Sequence, residues 1–142
     1  MEVVLSSQDR KILSKANALV KKWSKILCLD PIWNVEVSLL TNEEMENGLA
    51  RIDTGSSEYY EVVIEINHLL SKLDDDLLNE ELETAICHEM VHLVLIDFFR
   101  TAQIAVGDRN ILLKELIYKY EQITSRLQKS FLSLIRKEKL CQ

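Results

Sequence analysis

This chain has little that breaks regular structure: one proline and three glycines in 142 residues. Long uninterrupted elements are therefore expected. The cysteines are equally sparse. Cys28, Cys87 and Cys141 form no C-x-x-C pair, which argues against a disulfide scaffold or a cysteine-rich metal knuckle and fits reduced thiols in a cytoplasmic protein. No apolar run reaches the length of a membrane span. The segment Met1-Glu2-Val3-Val4-Leu5-Ser6 has neither the basic flank nor the long apolar stretch of a signal peptide. Positive charge is also in deficit: 17 Lys and Arg stand against 23 Asp and Glu, a net charge of −6. A nucleic-acid surface usually needs a basic patch, so that partner class is not expected. A basic peptide would be attracted to such a chain.

What remains is ordinary globular material. At 142 residues and 47% hydrophobic content, the chain reads as a single domain over 1–142 with a core that needs no disulfides. Ser6 and Asp9 have the spacing of a capping box. Ile12, Leu13, Ala16, Leu19, Val20, Trp23, Ile26 and Leu27 then recur at helical period, predicting a helix that ends near Cys28, with Asp30-Pro31 as the break. Asn34–Leu40 alternates like a strand, Leu49–Thr54 forms a second, and Tyr59–Ile66, rich in aromatic and β-branched residues, a third. Gly55-Ser56-Ser57 marks a turn. Thr41 to Asn47 suits a helical turn, and a short helix is expected over His68-Leu69-Leu70. Asn79, followed by Glu80, Glu81 and Glu83, suggests a capped helix running to Phe99 or Arg100. Gly107-Asp108 marks a loop before a last helix over about Asn110 to Lys137. The order predicts an α+β fold with helices on one face of a sheet of about three strands. Trp23, Trp33, Tyr59 and Tyr60 are better explained by packing than as a stacking surface, because Trp23 lies on the apolar stripe of its helix.

The chemistry lies in His88-Glu89-Met90-Val91-His92, an H-E-x-x-H motif inside a predicted helix. Residues four apart share a helix face, so both imidazoles can close on one metal ion, and Glu89 beside them can reach a water on that ion. The surrounding run, Glu83 to Ile96, is apolar on almost every side except at the motif. Two histidines and a glutamate in such a helix are costly unless paired or bound to metal. The plainer alternative is a pair of buried histidines satisfied by hydrogen bonds. Cys87 adjoins His88, but successive helix residues point about 100° apart, which makes it a core residue rather than a ligand.

A catalytic zinc needs a third protein ligand and an open position. No histidine follows His92. Asp97 falls roughly 140° away from His92 by helical geometry and is discounted. The last helix offers Glu115 and Glu121. Its apolar stripe runs through Leu113, Leu116, Ile117, Tyr120, Thr124, Leu127 and Phe131, and Glu121 falls at its border while Glu115 faces almost opposite. Glu121 is therefore the expected ligand, although axial rise along the two helices does not separate it from Glu115. The competing role for Glu121 is a surface carboxylate on the helix rim.

An H-E-x-x-H helix followed by a helix with a glutamate resembles the gluzincin group of zinc metallopeptidases. The small size and the strands before the motif resemble its minimal members, found among phages, prophages and archaea. The likeness spans Trp33 to Leu127, through Glu81–Leu93 and Tyr120–Leu127. It implies a zincin-like fold, a Zn2+ held by His88, His92 and Glu121, and Glu89 as general base for hydrolysis of a peptide or protein substrate. Ser125 stands where larger gluzincins often carry an aspartate that orients a ligand histidine. His68, Tyr59, Tyr60 and Tyr118 are candidates for an oxyanion donor. The alternative function is a latent or regulatory protein on the same scaffold, binding zinc and a protein partner.

Overall fold

The computed structural model describes residues 5–53, 60–107 and 109–140. The element order is α1 (Ser7–Ile26), β1 (Asn34–Leu40), β2 (Ala50–Asp53), β3 (Glu61–Asn67), a 3-10 turn (His68–Lys72), α2 (Asp75–Val106) and α3 (Asn110–Leu140). The fold is α+β.

Helix α1 starts where the sequence places it. The Ser6 hydroxyl accepts from the Asp9 backbone N–H, and the Asp9 carboxylate accepts from the Ser6 N–H, satisfying two backbone donors at the helix start. Ile12, Ala16, Val20 and Trp23 line its buried face. The helix stops at Ile26, before Asp30-Pro31, because Leu27 caps it and Cys28 turns into the left-handed region at φ 56°.

The sheet has the order β1-β3-β2, with β1 parallel and β2 antiparallel to β3. Val37, Ile64 and Ile52 face one another across the three strands. With Val62 and Ile66 they turn toward α1 and α2, where the core lies. On the other face Glu36, Arg51, Asp53 and Glu61 are exposed. The third strand begins at Glu61 rather than Tyr59, because Tyr60 has φ 58° and folds edge-on against Trp33. The second is trimmed to Ala50–Asp53. Thr54, the turn at Gly55-Ser56-Ser57, Tyr59 and Asp108 lie outside the described residues.

Helix α2 is longer than the sequence pattern predicts. Its cap is Asp74, whose carboxylate accepts from the Leu77 N–H, not Asn79. Asn79 lies inside the helix and takes the Lys15 ammonium of α1 instead, at 2.6 Å. At the other end nothing interrupts the helix after Arg100 until Gly107, whose φ of 59° ends it. The 32 residues carry the helix from the core out past the sheet. Leu78, Leu82, Ile86, Cys87, Met90, Val91 and Leu93 are buried, so the motif segment is packed on several sides: α1 and the sheet on one, α3 on the other. Burial of each such side chain contributes roughly 1.5–3 kcal/mol. No described helix is long and apolar enough to cross a membrane.

Candidate metal centre

Three ligating groups converge where α3 crosses α2. The Nε2 atoms of His88 and His92 are 3.1 Å apart. The Glu121 carboxylate straddles them, with Oε2 at 3.4 Å from His88 Nε2 and Oε1 at 3.4 Å from His92 Nε2. Around a tetrahedral zinc with bonds of about 2.0–2.1 Å, neighbouring ligand atoms stand about 3.3 Å from each other. Each ring nitrogen meets its own carboxylate oxygen at close to that spacing, and one donor atom from each of the three residues lies within 4.8 Å of the others, so a modest closing of the carboxylate would complete one face of such a shell. Two imidazoles and a carboxylate with space beside them are also the donor set that zinc accepts in hydrolytic sites.

The ring orientations strengthen this fit. Gln128 donates from Nε2 to the Thr84 carbonyl at 3.0 Å, which aims its Oε1 at His88 Nδ1, 3.1 Å away. Thr124 donates its hydroxyl to the Tyr120 carbonyl at 2.9 Å, and its oxygen lies 3.4 Å from His92 Nδ1. Both Nδ1 atoms thus face acceptors and carry the ring protons. Both Nε2 atoms are thereby aimed at each other and at the Glu121 carboxylate, the one place where a shared cation would meet all three groups. Burial also pushes His92 down to about 4, with the neighbouring His88 adding to the effect. His92 is therefore a neutral imidazole at neutral pH, and its approach to Glu121 is not an ion pair.

Glu89 is buried beside the cluster. Burial, with Glu121 adding to it, pushes its carboxyl up to about 7 against the pull of His88 and the Ile52 backbone N–H. A divalent cation alongside would favour the ionised form. Tyr120 fixes the floor: its hydroxyl donates to the His92 carbonyl at 2.9 Å, its ring lies tilted on His92, and Phe99 stacks on it at 4.1 Å. Burial raises the Tyr120 phenol well above its ordinary range. Cys87 is fully buried in the core with its thiol pushed up to about 12 by desolvation, which keeps it from serving as a thiolate ligand.

The cluster opens into a cleft of about 520 Å³ walled by β2, α2 and α3. Glu121 is half exposed there. Strand β2 is the sheet edge on this side. The Leu49 carbonyl bonds across to Asn67 of β3, so by strand alternation the backbone groups of Ala50 and Ile52 point outward, into the cleft.

The structure brings His88, Glu89, His92 and Glu121 together and leaves Glu115 exposed on α3, away from the cleft. Asp97 is also outside the cluster. None of the suggested oxyanion donors that are described lines the cleft. His68 pairs with Asp9 at 3.0 Å, Tyr60 packs on Trp33, and the Tyr118 hydroxyl accepts from Gln122. The residues that sequence reasoning missed are Gln128 and Thr124 in their orienting role. Gln128 lies one turn beyond Thr124 and two beyond Tyr120, and that i, i+4, i+8 spacing was the available signal. No protein-family model, curated protein or solved structure matches this chain.

Proposed function

We propose that this protein is a zinc-dependent metallopeptidase of the minimal gluzincin type, with His88, His92 and Glu121 as metal ligands and Glu89 as general base. The observation that carries the proposal is the convergence of two imidazole Nε2 atoms, 3.1 Å apart, with a carboxylate at 3.4 Å from each, both rings contacted from behind by α3 side chains. Zinc, when bound, supplies Lewis acidity toward a carbonyl and toward water. The chain supplies the rest. Glu89 takes a proton from water in the cleft and hands it to the departing amine nitrogen. Its buried position holds it in contact with the Ile52 N–H, which fixes the carboxylate while it exchanges that proton. The outward backbone groups of Ala50, with the Ile52 carbonyl, offer an extended peptide a strand to pair with.

The test is metal content together with peptide cleavage. Purified protein should hold one zinc per chain and cleave a peptide library. Glu89→Gln should keep the zinc and lose on the order of 10²–10⁴-fold in turnover. Absence of stoichiometric metal, or undiminished cleavage by the Gln variant, overturns the proposal. A zinc-loaded chain that cleaves no peptide would favour the regulatory alternative.

A further inference from the structure

The cleft continues past Glu89 in the other direction. A second pocket of about 340 Å³ opens on the N-terminal side of the motif, sharing His88 and Glu89 with the metal centre and otherwise lined by Leu49, Ala50, Thr84, Ala85, Gln128 and Glu81. Apart from the two shared motif residues its wall is mostly small or apolar, with one further carboxylate, Glu81.

Glu81 differs from Asp75, Glu80 and Glu83 on the same helix. Asp75 pairs with Lys11 at 2.6 Å, Glu83 with Lys22, and Glu80 with Arg136 at 3.6 Å. Glu81 is half-buried and has neither a cation nor a hydrogen-bond donor among the described residues. A ligand that brings a positive charge into the pocket would give this carboxylate the charge-assisted contact its neighbours already have. The net charge of −6 favours the same ligand at longer range.

We infer that Glu81 makes this pocket a subsite for a lysine or arginine side chain of the substrate. The inference rests on the metallopeptidase proposal above and names its substrate class. The direction of the peptide follows from β2. The strand runs from Ala50 beside this pocket toward Ile52, which lines only the larger cleft. Antiparallel pairing is the more stable kind. It lays the amine side of the cut bond over Leu49 and Glu81, so cleavage falls on the N-terminal side of a basic residue.

Binding of zinc-chelating probes tests this without requiring turnover. Zinc-loaded protein is titrated with N-phosphoryl amides of arginine, leucine and glutamate, whose phosphoryl oxygens chelate the metal in place of the cut carbonyl and so set the side chain immediately on the amine side. The arginine compound should bind about tenfold tighter than the leucine one, the worth of one charge-assisted hydrogen-bonded contact, and the glutamate compound weakest. Glu81→Gln should bring arginine and leucine within about twofold of each other, and Glu81→Lys should favour glutamate. Equal affinities in the wild type, or a preference for arginine that survives Glu81→Lys, overturn the inference and leave the metallopeptidase proposal standing. Failure of all three compounds to bind zinc-treated protein overturns both.

Discussion

Gln128 on α3 holds the His88 ring on α2 while its own amide is held by the Thr84 carbonyl one turn before that histidine. Each bond fixes the other, so the amide cannot flip without setting two oxygens against each other. The ring behind it therefore offers Nε2, and only Nε2, to the cleft. Gln128→Leu keeps the volume and removes this control. Zinc affinity should fall 10–100-fold with the stoichiometry still one per chain, as read by competition with a chelating dye. Unchanged affinity would mean that packing alone sets the His88 tautomer.

Glu121 and Glu115 differ in what their removal should do. Glu121 touches both imidazoles, whereas Glu115 is exposed on the same helix, outside the cleft. Glu121→Gln should abolish stoichiometric zinc binding, while Glu115→Gln should bind as the wild type does. Elemental analysis after dialysis distinguishes them. Equal losses from both variants would place the ligand role elsewhere.

How much of this was legible in the sequence depends on the range of the interaction. The Ser6–Asp9 capping box is local, and both its bonds form. The Glu121 position followed from one helix's own periodicity. By contrast, Asn79 was expected to cap α2, but the cap lies five residues earlier at Asp74, and Asn79 instead takes the Lys15 ammonium of α1. Parallel pairing of β1 with β3, leaving β2 at the edge, is a contact between segments far apart in sequence that no local pattern encodes. Ile117 was expected in the buried stripe of α3 yet is 44% exposed, because α3 has no third element over that face among the described residues. Gln128 was invisible for a related reason. A glutamine in a helix is ordinary surface polarity, and its role appears only when α3 lies across α2.

On the proposed function, removing zinc should also loosen the fold, since an ion held by His88, His92 and Glu121 would tie α2 to α3. A ligand at 1,000 times its dissociation constant stabilises the native state by about 4 kcal/mol. For a domain of this size, that lowers the melting temperature on chelation by on the order of 10 °C. Scanning calorimetry with and without a chelator measures it. A chelator-insensitive melting temperature in wild-type protein that was loaded with zinc beforehand would show that the ion does not bridge the helices.

In metal-stripped protein the pH dependence of stability should be set by two opposed groups. Burial lowers His92 to about 4 from 6.5, so the folded chain refuses a proton that the unfolded chain accepts between those values. Stability from this group is present above pH 6.5 and is lost as the pH falls toward 4. Burial raises Glu89 to about 7 from 4.5, so the folded chain keeps a proton that the unfolded chain releases. Stability from this group is present below pH 4.5 and is lost as the pH rises toward 7. Between pH 4.5 and 6.5 the two slopes have opposite sign and largely cancel. Glu89→Gln removes one of them. Its denaturant midpoint, measured relative to that of the wild type, should therefore drop on acidification through this window. A difference curve that stays flat would mean that the two groups do not titrate as a buried, opposed pair. Adding zinc to either protein should then make the low-pH loss steeper, because the ion binds only the deprotonated ligands that acid removes.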